Sequence, residues 1–339
     1  MEFNVSGLTT GQKSKGQPAP AETEKVLVLG AGPAGLAAAL YAARAELSPL
    51  VLTGTELGGQ ASLTNVIENY PGFPEGVGGA ELGDLFKKQA ERFGARFEFD
   101  GATAVDLSTY PFQVKTYSKV YSAKSLIIAT GASPTHLNVP GEEEFTGRGV
   151  SYCATCDGWF FKGKRVVVVG GGDSALEEGI FLTRYASSVN IIHRRDELRA
   201  GAILQRRALE HEKIQFTWNT VITEVLGKDT VEAVRLRNVQ TNEEQVMPTD
   251  GVFIFIGHVP NTALFKGQLQ MDSRGYLESD TLMRTSVPGV FAAGEAADPH
   301  YRQVITSAGM GAAAAIQAGR FLEEKEESES SAVTSASKP

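Results

Sequence analysis

Cys153-Ala154-Thr155-Cys156 contains the only two cysteines among 339 residues, and Asp157 follows at once. A pair at this spacing reads as redox or metal chemistry, and two cysteines are too few for a secreted disulfide framework. A structural zinc site takes four Cys or His ligands. None of the five histidines (His136, His193, His211, His258, His300) forms a paired-ligand motif near the cysteines. The expectation is therefore thiol–disulfide exchange, in which thiolate is the attacking species, with no metal. Asp157 would raise a neighbouring thiol pKa by its charge. It makes better sense as an acid that protonates the thiolate leaving a mixed disulfide. The bland alternative is a residue that turns the chain before Gly158.

The dithiol lies between two glycine-rich motifs, Gly30-Ala31-Gly32-Pro33-Ala34-Gly35 and Gly170-Gly171-Gly172-Asp173-Ser174-Ala175. Each follows a short apolar run and precedes a breaker-free helical pattern: Lys25–Leu29 then Leu36–Arg44, and Arg165–Val169 then Leu176–Tyr185. Further apolar strands follow at Leu50–Leu52 and Val189–Ile192. Glycines at such a junction let the backbone turn and let a pyrophosphate approach the helix N-terminus. The second unit starts about 140 residues after the first, which marks a duplicated domain type rather than a short repeat. After its second strand comes His193-Arg194-Arg195-Asp196-Glu197-Leu198-Arg199. An NAD site would place a carboxylate there for the ribose 2′-hydroxyl, whereas clustered guanidinium groups suit a 2′-phosphate. NADPH is the cofactor expected in the second unit, with Gly170, Gly172, Asp173, Ser174, His193, Arg194, Arg195 and Arg199 around it. The first unit ends its second strand in Leu52-Thr53-Gly54 without an acid. Gly58-Gly59-Gln60 and Phe291-Ala292-Ala293-Gly294-Glu295 suggest instead a long ligand spanning that domain, as FAD would be.

These motifs require an α/β fold with two Rossmann-like dinucleotide-binding domains. Strand–glycine junctions at Leu126–Gly131 and Phe253–Gly257 bracket the second unit. We read the first domain as discontinuous, residues 23–132 plus 260–322, with the second inserted at 133–259. Residues 1–22 read as a disordered arm and the acidic residues 323–339 as a disordered tail. The net charge of −8 argues against a nucleic-acid partner. No apolar run reaches the roughly 18 residues needed to span a bilayer. No basic segment leads into an apolar core at the N-terminus, so a cytoplasmic location is the default expectation.

With the Cys153–Asp157, Gly170–Ala175 and His193–Arg199 segments in this order, the chain resembles the low-molecular-weight, bacterial-type NADPH-dependent thioredoxin reductases. The likeness covers about residues 25–322 and includes Glu68-Asn69-Tyr70-Pro71-Gly72-Phe73-Pro74, Ala129-Thr130-Gly131-Ala132, Gly257-His258-Val259-Pro260-Asn261 and Tyr301-Arg302-Gln303. It implies FAD in the discontinuous domain, NADPH in the inserted one, thioredoxin as partner and a homodimer. By motif match Cys156 would face the flavin, Cys153 would attack the substrate disulfide and Asp157 would be the acid. FAD would lie along Gly30, Gly32, Pro33, Ala34, Gly35, Thr53, Gly58, Gly59, Gln60, Asn69, Thr130, Gly131, Gly294, Glu295, Arg302 and Gln303. The resemblance also implies that the inserted domain swivels about Thr130–Ala132 and Ile256–His258, presenting nicotinamide and dithiol alternately. In one respect the chain departs from the family, which usually has Gly-Asp at Gly294-Glu295. The longer Glu295 is expected to serve with a small local adjustment. The competing readings are a related flavin–dithiol enzyme with another acceptor or donor, and a flavin-binding redox sensor.

Overall fold

The computed structural model describes residues 23–336, except 55 and 65. The arm expected at residues 1–22 lies outside them. Along the chain the elements are β1 (Thr23–Leu29), α1 (Pro33–Arg44), β2 (Leu50–Leu52), α2 (Gly79–Arg92), β3 (Arg96–Glu98), β4 (Ala102–Asp106), β5 (Phe112–Thr116) and β6 (Val120–Ile128). Then come β7 (Ala132–Pro134), β8 (Val150–Ser151), α3 (Ala154–Asp157), β9 (Arg165–Val169), α4 (Asp173–Leu182), β10 (Ser188–Ile192), α5 (Ala202–Leu209) and β11 (Ile214–Thr217). The remainder is β12 (Thr220–Gly227), β13 (Val231–Asn238), β14 (Glu244–Pro248), β15 (Gly251–Ile254), β16 (His258–Pro260), β17 (Val290–Ala292) and α6 (Val304–Ala336).

Two parallel cores carry the glycine turns. In the first sheet the order is β3-β2-β1-β6-β5-β4. The nine-residue β6 is shared on one edge: its first half pairs antiparallel with β5 and its last three residues pair parallel with β17. In the second the order is β11-β10-β9-β15-β8, all parallel. Strands buried on both faces read as unbroken apolar runs. Val166, Val167 and Val168 are accordingly at most 2% exposed, as are Val26, Leu27 and Val28. Both β1 and β9 have their successor strand on one side and a later strand on the other. That reversal of order opens a crevice at the C-terminal end of each, where a ligand fits. Gly30 and Gly170 stand at those two points.

The helices begin earlier than the apolar pattern alone indicates, directly on the glycine turns. Pro33 occupies the first helical position of α1, where its fixed φ suits a helix start. Small residues let α1 lie close against α6: a Cβ at Gly311 would stand 1.9 Å from the Ala34 carbonyl oxygen. Where the chain passes between the two sheets, β7 and β16 pair antiparallel. Asn261 closes the ribbon, its backbone N–H donating to Gly131 O at 2.9 Å and its side chain to Thr130 O at 3.0 Å.

The expectation of a disordered tail over residues 323–339 is corrected for residues 323–336, and residues 337–339 lie outside the described residues. Helix α6 runs without interruption to Ala336. Glu, Ala and Lys are good helix formers, and a helix already nucleated by packed residues propagates cheaply. Phe321 meets Tyr110 edge-on at 6.4 Å, and the Lys325 ammonium lies 4.7 Å from the centre of the same Tyr110 ring. No helix among the described residues is long and apolar enough to cross a membrane.

Candidate active site

Around the first glycine turn a cavity of about 1710 Å³ opens between the two sheets. It is lined by Gly30, Gly32, Pro33, Ala34, Thr53, Gly59, Gln60, Asn69, Thr130, Gly131, Gly294, Glu295, Arg302 and Gln303. Gly35 and Gly58 do not line it. Gly35 is there for packing, since a Cβ would fall 1.9 Å from Gly30 O. Gly58 holds its turn by donating from its N–H to Ala31 O at 2.9 Å. The first turn of α1 has no side-chain cap, which leaves its N–H groups facing the cavity. A Cβ at Gly32 would meet no protein atom within 4 Å. Glycine at that point keeps room for a ligand to reach the helix end. Thr130 Oγ1 and Glu178 Oε2 are buried and lack a hydrogen-bond partner among the described residues. Orphaned buried polar atoms of this kind ask for a partner from outside the chain. The elongated polar cradle, the open helix end and the orphan hydroxyl together fit a dinucleotide with a phosphate bridge.

Cys153 and Cys156 form a disulfide whose Cα atoms are 5.3 Å apart, and both line this same cavity with Thr155 and Asp157. Cys153 is the N-cap of the one-turn α3, and the Cys156 N–H donates to its Sγ at 3.2 Å. After reduction that N–H would favour thiolate at Cys153. Burial pushes the Asp157 carboxyl above its ordinary value, partly offset by a hydrogen bond with Ser151. A buried carboxyl that keeps its proton can act as an acid near neutrality.

Gln303 ties the disulfide to the first domain. Its Nε2 donates to Thr155 Oγ1 at 3.1 Å, and its Oε1 accepts from Asn69 Nδ2 at 3.2 Å. Thr155 Oγ1 lies 3.3 Å from Cys153 Sγ. Arg302 Nη1 donates to His258 Nδ1 at 2.7 Å, so the imidazole must accept there. Burial, reinforced by the Arg302 charge, brings the His258 pKa down to about 4, which keeps it neutral. Glu295 is pushed up to about 7, chiefly by burial; Arg302 opposes this and Asp298 adds to it.

The second cluster is assembled but stands apart from this cavity. Gly170, Gly172, Asp173, Ser174, His193, Arg194, Arg195 and Arg199 are not among the cavity residues. The His193 ring sits beneath the turn, where a Cβ at Gly171 would come within 2.3 Å of it. Arg199 N–H donates to Gly171 O at 2.7 Å, which folds the arginine loop back onto the glycine turn. Arg194, Arg195 and Arg199 are exposed at its rim.

Several residues of the site escaped sequence reasoning. Asp298 accepts the N–H groups of His300, Tyr301 and Arg302 at 2.9–3.2 Å and so shapes the loop that presents Arg302. Thr155 and Glu178 reach the cavity from the inserted domain. Burial raises the Glu178 carboxyl above its ordinary value, against the lowering effect of Arg302. The one local signal was the placing of Asp298 three residues after Glu295.

With two dinucleotide-type turns and one disulfide in its cavity, the chain belongs to the pyridine nucleotide-disulphide oxidoreductase family, whose family model matches residues 24–319. Among named proteins, it is 50% identical to the thioredoxin reductase of Mycolicibacterium smegmatis, over 89% of this chain and 97% of that one. In structure it is similar to the thioredoxin reductase of Streptococcus pyogenes, with a TM-score of 0.86, 42% identity and coverage of 89% and 99% of the two chains. Against the Lactococcus lactis thioredoxin reductase in its "FR conformation" the TM-score is 0.61, at 41% identity and the same coverage.

Proposed function

We propose that this protein is an NADPH-dependent thioredoxin-disulfide reductase that uses FAD and the Cys153–Cys156 pair. The observation that carries the reading is the disulfide lining the same cavity as the first glycine turn. Bound FAD supplies a two-electron relay between NADPH and the disulfide. Residues 23–132 and 260–322 form its domain, with the fourteen cavity-lining residues named above as its contacts and Gly35 and Gly58 shaping the turns. Residues 133–259 form the NADPH domain, where Gly170, Gly172 and Ser174 would hold the pyrophosphate and Arg194, Arg195 and Arg199 the 2′-phosphate, with His193 supporting the turn from beneath.

Exchange with substrate then belongs to the chain's own residues. The Cys153 thiolate attacks one sulfur of the thioredoxin disulfide, forming a mixed disulfide and releasing the other sulfur as thiolate. Asp157 supplies the proton that this thiolate takes up. Cys156 attacks Cys153, re-forming their disulfide and releasing the second thioredoxin sulfur. One disulfide is reduced for each pair of electrons delivered.

The second turn lies outside the cavity that holds the disulfide, so we infer that the inserted domain turns on the β7–β16 ribbon. The unequal TM-scores, 0.86 and 0.61 at nearly equal identity, support such a rotation. A homodimer and a cytoplasmic location complete the reading, supported by the resemblance to the bacterial-type enzymes. Oxidation of NADPH that depends on oxidised thioredoxin is the test.

Glu295 gives the site a pH signature. Its folded value of about 7 lies above its ordinary 4.5, so the folded state holds this proton more tightly. Stability from this group is complete below about 4.5 and is lost as pH rises through about 7. Glu295→Gln is expected to remove that loss, at most about 3 kcal/mol. The check is Tm of flavin-stripped protein at about pH 5 and about pH 8: the parent falls more steeply than the variant.

A further inference from the structure

Asp173 opens α4 beside the second glycine turn. Its Oδ1 accepts the Gly201 N–H at 2.8 Å. Gly201 is the N-cap of α5 and ends the loop that begins at His193. Other bonds also hold that loop: Arg199 N–H to Gly171 O at 2.7 Å, Asn219 N–H to Arg195 O at 3.2 Å, Gln205 Nε2 to Ala200 O at 2.7 Å, and His193 Nε2 with Glu197 O at 3.0 Å. These tethers are spaced along one short segment, and the arginines stand among them.

We propose that Asp173 is a positioning residue for cofactor selection: by holding Gly201 it fixes the Arg194–Arg199 loop in the shape that receives a 2′-phosphate, without touching the nucleotide. This rests on the NADPH reading above. Among these tethers, the Asp173 bond is the one made by an exposed side chain, whereas Gln205 is half-buried and His193 is 5% exposed. Replacing Asp173 therefore leaves the core intact. An acid in the first turn also favours its own helix. That role would change Tm but would not distinguish one nucleotide from another.

Calorimetry of the flavin-loaded protein with 2′,5′-ADP and with 5′-AMP separates these roles, because the two probes differ only in the 2′-phosphate. Asp173→Ala is expected to weaken 2′,5′-ADP binding about tenfold, the weight of one hydrogen bond. Binding of 5′-AMP should be unchanged. Asp173→Asn, which keeps the acceptor oxygen, should recover most of the loss. Equal loss for both probes would overturn the proposal, as would no loss in Asp173→Ala or no recovery in Asp173→Asn. A parent protein that binds both probes equally would overturn the NADPH reading and this inference with it.

Discussion

Cys153→Ser and Cys156→Ser are each expected to lose thioredoxin reduction by a factor on the order of 10⁴ or more while the protein keeps its flavin colour. Each thiol has a step the other cannot perform: Cys153 attacks the substrate and Cys156 resolves the mixed disulfide. Groups that act as one unit are not additive, so the double variant should be no worse than either single one. The two variants should still differ. Cys156→Ser keeps the attacking Cys153 and should accumulate a stable mixed disulfide with thioredoxin, visible as a heavier band on non-reducing gels. Cys153→Ser should not. The reverse pattern would exchange the roles assigned to the two sulfurs.

Asp157→Asn is expected to slow turnover about a hundredfold, the ordinary worth of a positioned general acid. Burial raises the Asp157 carboxyl, so the acid keeps its proton further toward neutrality than an exposed aspartate would. As pH rises through that raised value the proton is lost, and the parent rate should fall. The variant should lack this alkaline limb. Stability should move the other way: an amide carries no charge to bury, so near neutrality Asp157→Asn should be at least as stable as the parent. A variant equally slow but clearly less stable would show that Asp157 shapes the turn before Gly158 rather than delivering a proton.

What the sequence made legible was local. Each glycine turn announces itself by a strand before and a helix after, all within about 30 residues. The arginine loop is equally local, because it must follow the second strand of its own unit. The contacts that tie the units together were not legible. Gln303 reaches Thr155 across 148 positions and Arg302 reaches His258 across 44, and no periodicity encodes such pairs. Asp173 looked like part of a nucleotide motif, and its bond to Gly201 emerges only when the loop is folded back. The acidic C-terminal segment was misread because its composition suits solvent, while Glu and Ala equally suit a helix whose start is already packed.

Electrons from NADPH are expected to leave this protein through Cys153 and Cys156 to the disulfide of thioredoxin. Steady-state NADPH oxidation by the flavin-loaded protein, with and without oxidised thioredoxin, tests this route most directly. Turnover is expected to require thioredoxin, to yield one reduced thioredoxin disulfide per NADPH consumed, and to be far slower with NADH. NADPH consumption that proceeds equally without thioredoxin, or a protein that oxidises no NADPH in its presence, would contradict this route.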